Sequence, residues 1–313
     1  MSQIQVQAPG LLTTVQDLGR EGFGLMGVSA SGAADPIALR LGNRLVGNAD
    51  GTAGLEMTLL GGTFLLPQGA VVALAGSDFT ANLDGVPVEL WTSVKISPGQ
   101  KLSLGHTRSG SRCYLCVQGG VAVDPFLGSA STHVLSRLGG FEGRALRKGD
   151  VLNTGPAGGP FRKRKLAQWA REALAPRKIL RVTPGPQTGW FPASSQQLFY
   201  TCTYRVAEES NRMGLRLEGP PIPARSGGEM ITEGVSLGAI QVPDGGLPII
   251  LFVEQQTTGG YPKIANLISA DLPSVGQLRP RDEVRFELVG WDAARGLLRE
   301  QEELLASKEL ILG

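Results

Sequence analysis

Glycine interrupts this chain so often that long helices have little room. It supplies 44 of the 313 residues, about 14% against an average near 7%. The stretches between glycines are short, apolar or alternating, and closed by Gly, Pro, Asn or Asp. Residues 63–66, 70–75, 86–90 and 101–104 are of this kind, and 111–117 and 121–123 continue the pattern across Gly119-Gly120. Such runs with turn residues between them predict β-strands. Charged residues are 19% and hydrophobic residues 42%, so a sizeable core forms under a surface poorer in charge than average. The expected class is mainly β, with few short helices.

One early helix is well marked. Asp35 is placed to cap it, Pro36 fits the first helical position, and Ile37, Leu41 and Leu45 repeat on one face. Gly47 is placed to end it. Further on, residues 156–177 break the β pattern with Gly and Pro, then a basic, helix-forming run. This predicts an N-terminal β-rich domain over residues 1–160, a connecting helix or linker over 161–177, and a C-terminal β-rich domain over 178–313. The tail from Trp291 to Leu312 reads as an amphipathic helix, with Leu297, Leu298, Leu304 and Leu305 among many charges.

Composition excludes several classes of function. Thirty basic against 28 acidic residues leave a net charge of +2, which gives no electrostatic case for nucleic acid or an anionic membrane. The one dense basic run, Arg162-Lys163-Arg164-Lys165, reads as a solvated linker or helix start. Residues 247–253 are the apolar run of interest; they contain a proline and are too few to span a bilayer. The first residues lack a basic segment followed by an apolar one, so a cytoplasmic location is expected.

Ordinary catalytic machinery is mostly missing. The two histidines, His106 and His133, have no second ligand at metal spacing, so no metal is expected. Cys113 and Cys116 fall in a predicted strand, where residues three apart face opposite ways, so they read as structural. There is no Gly-x-x-x-x-Gly-Lys-Ser/Thr loop for a nucleotide and no Met-Lys-Met for biotin attachment. Gly234-Val235-Ser236-Leu237-Gly238 matches a hydrolase elbow in letters only, because a strand-like stretch follows and both histidines come earlier.

Five polar and glycine-rich clusters remain. Asp17 and Arg20 set a carboxylate and a guanidinium three residues apart between turn signals. Ser31-Gly32-Ala33-Ala34-Asp35 leads into the first helix, where backbone N–H groups can face an anion. Asn211-Arg212 offers planar donors for a carboxylate or phosphate. Gln241 lies in an apolar strand and needs either a protein partner or a ligand. The fifth cluster is the densest. An apolar strand runs into Glu254, then Gln256-Thr257-Thr258-Gly259-Gly260-Tyr261-Pro262-Lys263. Adjacent glycines permit positive φ and close approach of backbone to a ligand. Tyr261 is placed to stack on a flat group, and Lys263 supplies a cation. This segment is the best candidate for a small-molecule binding loop.

At these clusters the sequence resembles the allophanate hydrolase subunit 2 family, also called biotin-dependent carboxyltransferase. The resemblance rests on Thr14-Val15-Gln16-Asp17-Leu18-Gly19-Arg20, Ser31-Gly32-Ala33-Ala34-Asp35, Leu55-Glu56, Ser210-Asn211-Arg212-Met213-Gly214, Gly238-Ala239-Ile240-Gln241-Val242-Pro243 and Gln256 through Ile264. It runs from about Ile4 to about Glu287. It implies a cyclophilin-like β-barrel in the C-terminal half. It also implies a B-like partner protein (an allophanate hydrolase subunit 1 relative), and in 5-oxoprolinase a third, A-like partner protein. Where the family often has Asp, this chain has Glu254, whose longer side chain displaces the carboxylate.

The resemblance implies three activities. In the first, the chain is the C-type component of an ATP-dependent 5-oxoprolinase, converting 5-oxo-L-proline, a small amide, to L-glutamate, with ATP used alongside the A-like and B-like partners. The second is biotin-dependent carboxyl transfer, of the urea carboxylase or allophanate hydrolase kind. The third is non-enzymatic: regulation by binding a B-like sporulation-kinase inhibitor. For the first, Asp17 and Glu254 are the expected proton-transfer or base-orienting carboxylates, and Arg212 and Lys263 the cationic donors. Arg20, Ser31, Asn211, Gln241, Gln256, Thr257, Thr258, Gly259, Gly260 and Tyr261 are expected to contact substrate.

Overall fold

The computed structural model describes residues 2–225 and 230–313. It divides into two compact units. The first gathers residues 1–20, 31–173 and 308–313; the second gathers residues 21–30 and 174–307.

The first unit is built from the strands β1 (Gln3–Ala8), β2 (Leu12–Gln16), β3 (Gly54–Thr58), β4 (Thr63–Leu66), β5 (Ala70–Gly76), β6 (Asn82–Leu83), β7 (Val86–Pro87), β8 (Ser93–Ile96), β9 (Gln100–Ser103), β10 (Arg112–Val117), β11 (Val121–Ala122) and β12 (Val151–Thr154). They form a seven-stranded sheet, β11-β12-β1-β4-β9-β6-β7, and a five-stranded sheet, β2-β3-β10-β5-β8. Alternation decides which faces meet. Ile4, Val6, Phe64, Leu66 and Leu102 of the larger sheet pack in one core with Val15, Leu55, Leu74, Cys113 and Leu115 of the smaller. The other face of the smaller sheet carries Ala73, Ala75, Tyr114 and Cys116, which pack with Leu39 and Leu45.

Those leucines belong to helix α1 (Pro36–Val46). Its ends are as the sequence predicts. The Asp35 carboxylate accepts from Ala38 N at 3.0 Å, Pro36 opens the first turn, and Gly47 closes the last at φ 81°. Cys113 and Cys116 face the two different cores, and burial pushes both thiols up, that of Cys116 to about 12. Neither is placed for redox chemistry.

The strand expected over 86–90 is shorter: it pairs at Val86–Pro87, with one further bond from Val88 N to Ala81 O at 2.9 Å. After it, β13 (Lys165–Leu166) pairs with Ile311–Leu312, and the short helix α2 (Gln168–Ala173) follows. The basic run is partly engaged here: Lys165 Nζ lies 2.5 Å from Glu89 Oε1, and Arg164 Nη1 donates to Arg44 O at 3.4 Å.

The second unit is a closed barrel, as the resemblance implies. Its strands are β14 (Ile179–Pro184), β15 (Tyr204–Val206), β16 (Gly214–Glu218), β18 (Ala239–Gln241), β19 (Ile249–Leu251), β21 (Lys263–Leu267) and β22 (Glu283–Leu288), in the order β14-β21-β18-β19-β16-β15-β22. Parallel pairing of β22 with β14 closes it, so this barrel has no free edge. A separate two-stranded ribbon joins β17 (Glu233–Gly234) to β20 (Thr258–Gly259). Leu180, Val182, Leu217, Ile240, Ile250, Ile264 and Phe286 are buried. Helix α3 (Ala193–Thr201) stacks Phe199 on Phe286, with ring centroids 4.4 Å apart. Helix α4 (Leu272–Gly276) follows β21.

The tail departs from expectation. Helix α5 spans Trp291–Ala306, not the whole stretch to Leu312. It stops where Ser307 turns extended at ψ 134°, and Ile311–Leu312 form the strand that pairs with β13. Two alternating apolar residues suffice there for a sheet edge, which a helix pattern does not anticipate. No described helix is long and apolar enough to cross a membrane.

Candidate functional site

The polar residues singled out in the first unit are each held by the loop over residues 126–132. Asp17 follows β2, and its carboxylate takes four donors. Oδ1 accepts from Gly19 N at 2.8 Å, Ser129 Oγ at 2.6 Å and Ser131 Oγ at 2.5 Å; Oδ2 accepts from Ala130 N at 2.7 Å. Arg20 is buried; it donates to Phe126 O at 3.3 Å and to Ser131 O, and lies over the Phe126 ring at 5.5 Å. Ser31 Oγ donates to Thr132 O at 2.9 Å. The Asp17 carboxylate, expected above in proton transfer or in orienting a base, thus already accepts from four donors of its own chain. A loop spanning residues 126–132 needs its main-chain groups satisfied, and Asp17 and Arg20 do this from opposite signs of charge.

The N-terminus of α1 is likewise occupied from within. Ala34 N donates to Glu56 Oε2 at 2.8 Å, and Asp35 N to the Tyr114 hydroxyl at 2.7 Å, which itself donates to Glu56 Oε2 at 2.7 Å. Glu56 is 1% exposed, and Arg112 Nε stands 3.6 Å from its other oxygen. The anion expected at these N–H groups is the protein's own Glu56, set against the positive end of the helix. Burial first, then the Glu56 charge, pushes the Tyr114 hydroxyl far up, so it stays a donor.

In the second unit Arg212 and Glu254, both expected in catalysis, bind each other. Arg212 Nε lies 2.5 Å from Glu254 Oε1, and the two side chains are 5% and 4% exposed. The main chain repeats the pairing, with Glu254 N donating to Arg212 O at 2.9 Å. Asn211 is exposed and folds back, its Oδ1 accepting from Met213 N at 2.8 Å. These residues staple the chain after β19 to the chain before β16.

Lys263 stands in a different kind of setting. It opens β21 opposite Gln241 of β18, where a register shift breaks the ladder. Directly opposed residues share a face of the sheet, and here both are buried, at 2% and 1% exposure. Lys263 Nζ pairs with Glu233 Oε1 at 2.5 Å, but the Glu233 side chain is 44% exposed. Gln187 holds this pair from below. Its Oε1 accepts from Lys263 N at 3.1 Å, its own N donates to Lys263 O at 3.3 Å, and its Nε2 donates to Glu233 Oε1 at 2.8 Å. Lys263 first, then Gln187, holds the Glu233 carboxyl below the usual range. Gln241 Oε1 accepts from Gln256 Nε2 at 3.3 Å, whereas Gln241 Nε2 is buried with no partner among the described residues. A buried amide donor left open in this way is a place for a ligand acceptor.

The glycine segment works by size rather than by dihedral angle. Neither Gly259 nor Gly260 takes a positive φ. Gly259 instead sits in β20, where a Cβ would collide with Gln241 Nε2 and approach Val235 Cγ1 to 3.2 Å. At Gly260 a Cβ would meet Thr232 Oγ1 at 3.4 Å. Gln256, Thr258 and Tyr261 are exposed around this point, and Thr257 is half-buried, its carbonyl accepting from Val235 N at 3.1 Å. The segment Gly234–Gly238 passes through a turn into β18, and Ser236 Oγ donates to Asn266 Oδ1 at 3.2 Å, so it is no nucleophile elbow.

Sequence reading missed Gln187 and Glu233. Gln187 lies in the turn-rich run Pro184-Gly185-Pro186-Gln187-Thr188-Gly189, and Glu233 adjoins the discounted Gly-x-Ser-x-Gly match. Only the fold sets them beside Lys263.

Comparison with known proteins supplies the family. A model described as "Carboxyltransferase domain, subdomain A and B" matches residues 26–288. A protein of Haemophilus influenzae named as the C subunit of 5-oxoprolinase is 36% identical, over 92% of this chain and 92% of its own. One of the same name in Escherichia coli is 37% identical, over 96% and 95%. The crystal structure of K. lactis urea amidolyase superposes with a TM-score of 0.90 at 31% identity; it covers 99% of this chain, which spans only 21% of that one. The chain belongs to the carboxyltransferase domain family, subdomains A and B.

Proposed function

We propose that this chain is the C-type component of an ATP-dependent 5-oxoprolinase, opening 5-oxo-L-proline to L-glutamate together with A-like and B-like partner proteins. The observation that carries this reading is coextension. The two relatives of that name match along more than nine-tenths of both sequences, whereas the amidolyase match is a fifth of a much longer chain.

The lactam is a poor electrophile, and its oxygen gains negative charge as the carbon is attacked. Donors fixed in a water-poor site lower that cost. Gln241 Nε2, buried and unpartnered, is suited to the lactam oxygen, with the Lys263 charge on the same sheet face. Gly259 lets the ribbon strand lie directly against Gln241, where a Cβ would collide with Nε2. In the route that fits, ATP phosphorylates the lactam oxygen and water adds to the carbon. The C–N bond then breaks to free the amine, and a second water hydrolyses the acyl phosphate. This sequence has no recognised nucleotide loop, and ATP is used together with the partners. Arg212–Glu254 serves here by fixing the chain on either side of β16 and β19.

A second reading is favoured by the amidolyase superposition and the family's description. In it the same chain serves carboxyl transfer, and biotin, carried by a partner, would supply the carboxyl group. Gln241 Nε2 and Lys263 fit the ureido oxygen of biotin as they fit a lactam oxygen. The deciding experiment co-expresses the chain with the two partner proteins and follows ATP-dependent glutamate release from 5-oxoproline in biotin-free buffer. Turnover that persists when this chain is left out sinks the oxoprolinase reading.

A further inference from the structure

Two buried cations of the barrel unit are matched very differently. Beside Arg212, Glu254 is as buried as its partner, the arrangement expected of a permanent pair. Beside Lys263, which is 3% exposed, the carboxylate comes from a side chain that is 44% exposed. Glu233 reaches in from β17, a two-residue strand whose residues are both exposed and which pairs with β20. It is met there by an ion pair with Lys263 Nζ at 2.5 Å and by a hydrogen bond from Gln187 Nε2 at 2.8 Å on the same oxygen. Gln187 is itself fixed by two hydrogen bonds to the main chain of Lys263. The donors are thus rigid and interior, while the acceptor is peripheral.

Charge balance then selects the ligand. A buried ammonium without a counter-charge is costly. A neutral ligand that pushed Glu233 aside would leave Lys263 in that state. A carboxylate could replace Glu233 with no change in net charge, and release the glutamate to water. Next to this position, Gln241 Nε2 stands open against Gly259, the cross-strand partner of Glu233.

We propose that Lys263 Nζ and Gln187 Nε2 form a carboxylate-binding subsite, and that Glu233 keeps it closed by standing in for the carboxylate of the ligand. The inference rests on reading the Lys263–Gln241 cluster as the ligand site, but not on which reaction occurs there. A carboxylate on a small amide ring and a carboxyl group in transfer share the chemistry required. In the first case Gln241 Nε2 is left for the ring's amide oxygen.

The test is binding to the purified full-length chain, by calorimetry or ligand-observed NMR, with Glu233→Ala and Glu233→Gln beside the parent. The probes are 5-oxoproline, 2-pyrrolidinone (the same lactam without the carboxylate) and bicarbonate. Removing the stand-in should tighten 5-oxoproline by about tenfold and leave 2-pyrrolidinone unchanged. Glu233→Gln, isosteric and uncharged, carries the test if Glu233→Ala does not fold. Equal gains for both lactams, or unchanged or weaker 5-oxoproline binding in a folded variant with no gain for bicarbonate, overturn the subsite. A gain for bicarbonate alone supports the subsite while moving it to carboxyl transfer and against the oxoprolinase reading. Glutamate release by the assembled enzyme, with no affinity change in either variant, overturns the subsite and leaves the proposed function standing.

Discussion

The Asp17 carboxylate and the Lys263 ammonium are both drawn back from water, yet they are bonded in opposite ways. Asp17 takes four donors from its own chain, and Arg20 donates to two carbonyls of the same loop. Lys263 faces a half-exposed glutamate, and its neighbour Gln241 keeps a buried donor open. A carboxylate that takes four donors from its own chain fixes the conformation of a loop and has little acceptor capacity left to offer a ligand. An incompletely bonded cluster holds binding capacity at the expense of some stability. Residue type alone does not separate the two, since each region has charged side chains amid glycine and hydroxyl residues. Substitutions separate them, because stability and activity should respond independently.

Breaking the buried Arg212–Glu254 pair should have the largest effect on folding. Arg212→Met leaves Glu254 charged and unpaired, at a cost of about 3–5 kcal/mol. The double variant Arg212→Met, Glu254→Leu should recover much of this, as measured by denaturant unfolding. If the single variant is as stable as the parent, these residues are not the permanent pair described above, and the contrast with Lys263 fails.

Lys263→Met should act the other way round. Loss of a fixed donor facing developing charge lowers turnover by about 10²–10³-fold. Unfolding should change little, because a buried ammonium and its desolvation are removed together. Glutamate release by the chain with its two proposed partners, set beside the melting temperature of the chain, checks this. A melting temperature that falls with activity retained would make Lys263 structural.

Asp17→Asn comes next. It keeps the size of the side chain but weakens two hydroxyl and two main-chain hydrogen bonds, at a cost of about 1–3 kcal/mol. Turnover per folded molecule should be preserved. A variant that is fully stable but inactive would restore the catalytic carboxylate that the sequence suggested.

How much of this was legible in the sequence depends on range. Helix α1 was readable because its cap, first proline, apolar spacing and closing glycine all lie within a dozen or so consecutive residues, residues 35–47. Strands β4, β5, β9, β10 and β11 of the first unit, and part of β7, were readable from alternation and turn residues. Lys263, Gln241 and Gly259 were picked out because unusual residues cluster near them. Gln187 and Glu233 were not, because they reach Lys263 through pairings 76 and 30 residues away along the chain. The mutual neutralisation of Arg212 and Glu254 spans 42 residues and was hidden for the same reason. The reading of Gly259 and Gly260 as positions of positive φ failed on a local alternative: glycine also serves where a strand must pass close to a side chain.

The smallest expected effect lies at the surface of the first unit and tests whether its charges act on stability alone. Asp50 Oδ2 lies 2.6 Å from Arg44 Nη2 and 3.1 Å from Arg40 Nε. The Arg44 hydrogen bond, more than burial opposes it, holds the Asp50 carboxyl below its usual 3.8. A depressed value means the folded state prefers the charged form. The stabilisation is therefore fully present above the unfolded value near 3.8 and is lost as pH falls through the lower folded value. The pair is partly exposed, so Asp50→Asn should cost under about 1 kcal/mol at neutral pH. That difference should shrink towards zero as the parent is acidified, and 5-oxoproline turnover at neutral pH should not move. Urea unfolding of parent and variant at several pH values gives the comparison. A gap that widens on acidification would reverse the sign and remove Asp50 from the groups that hold this unit together.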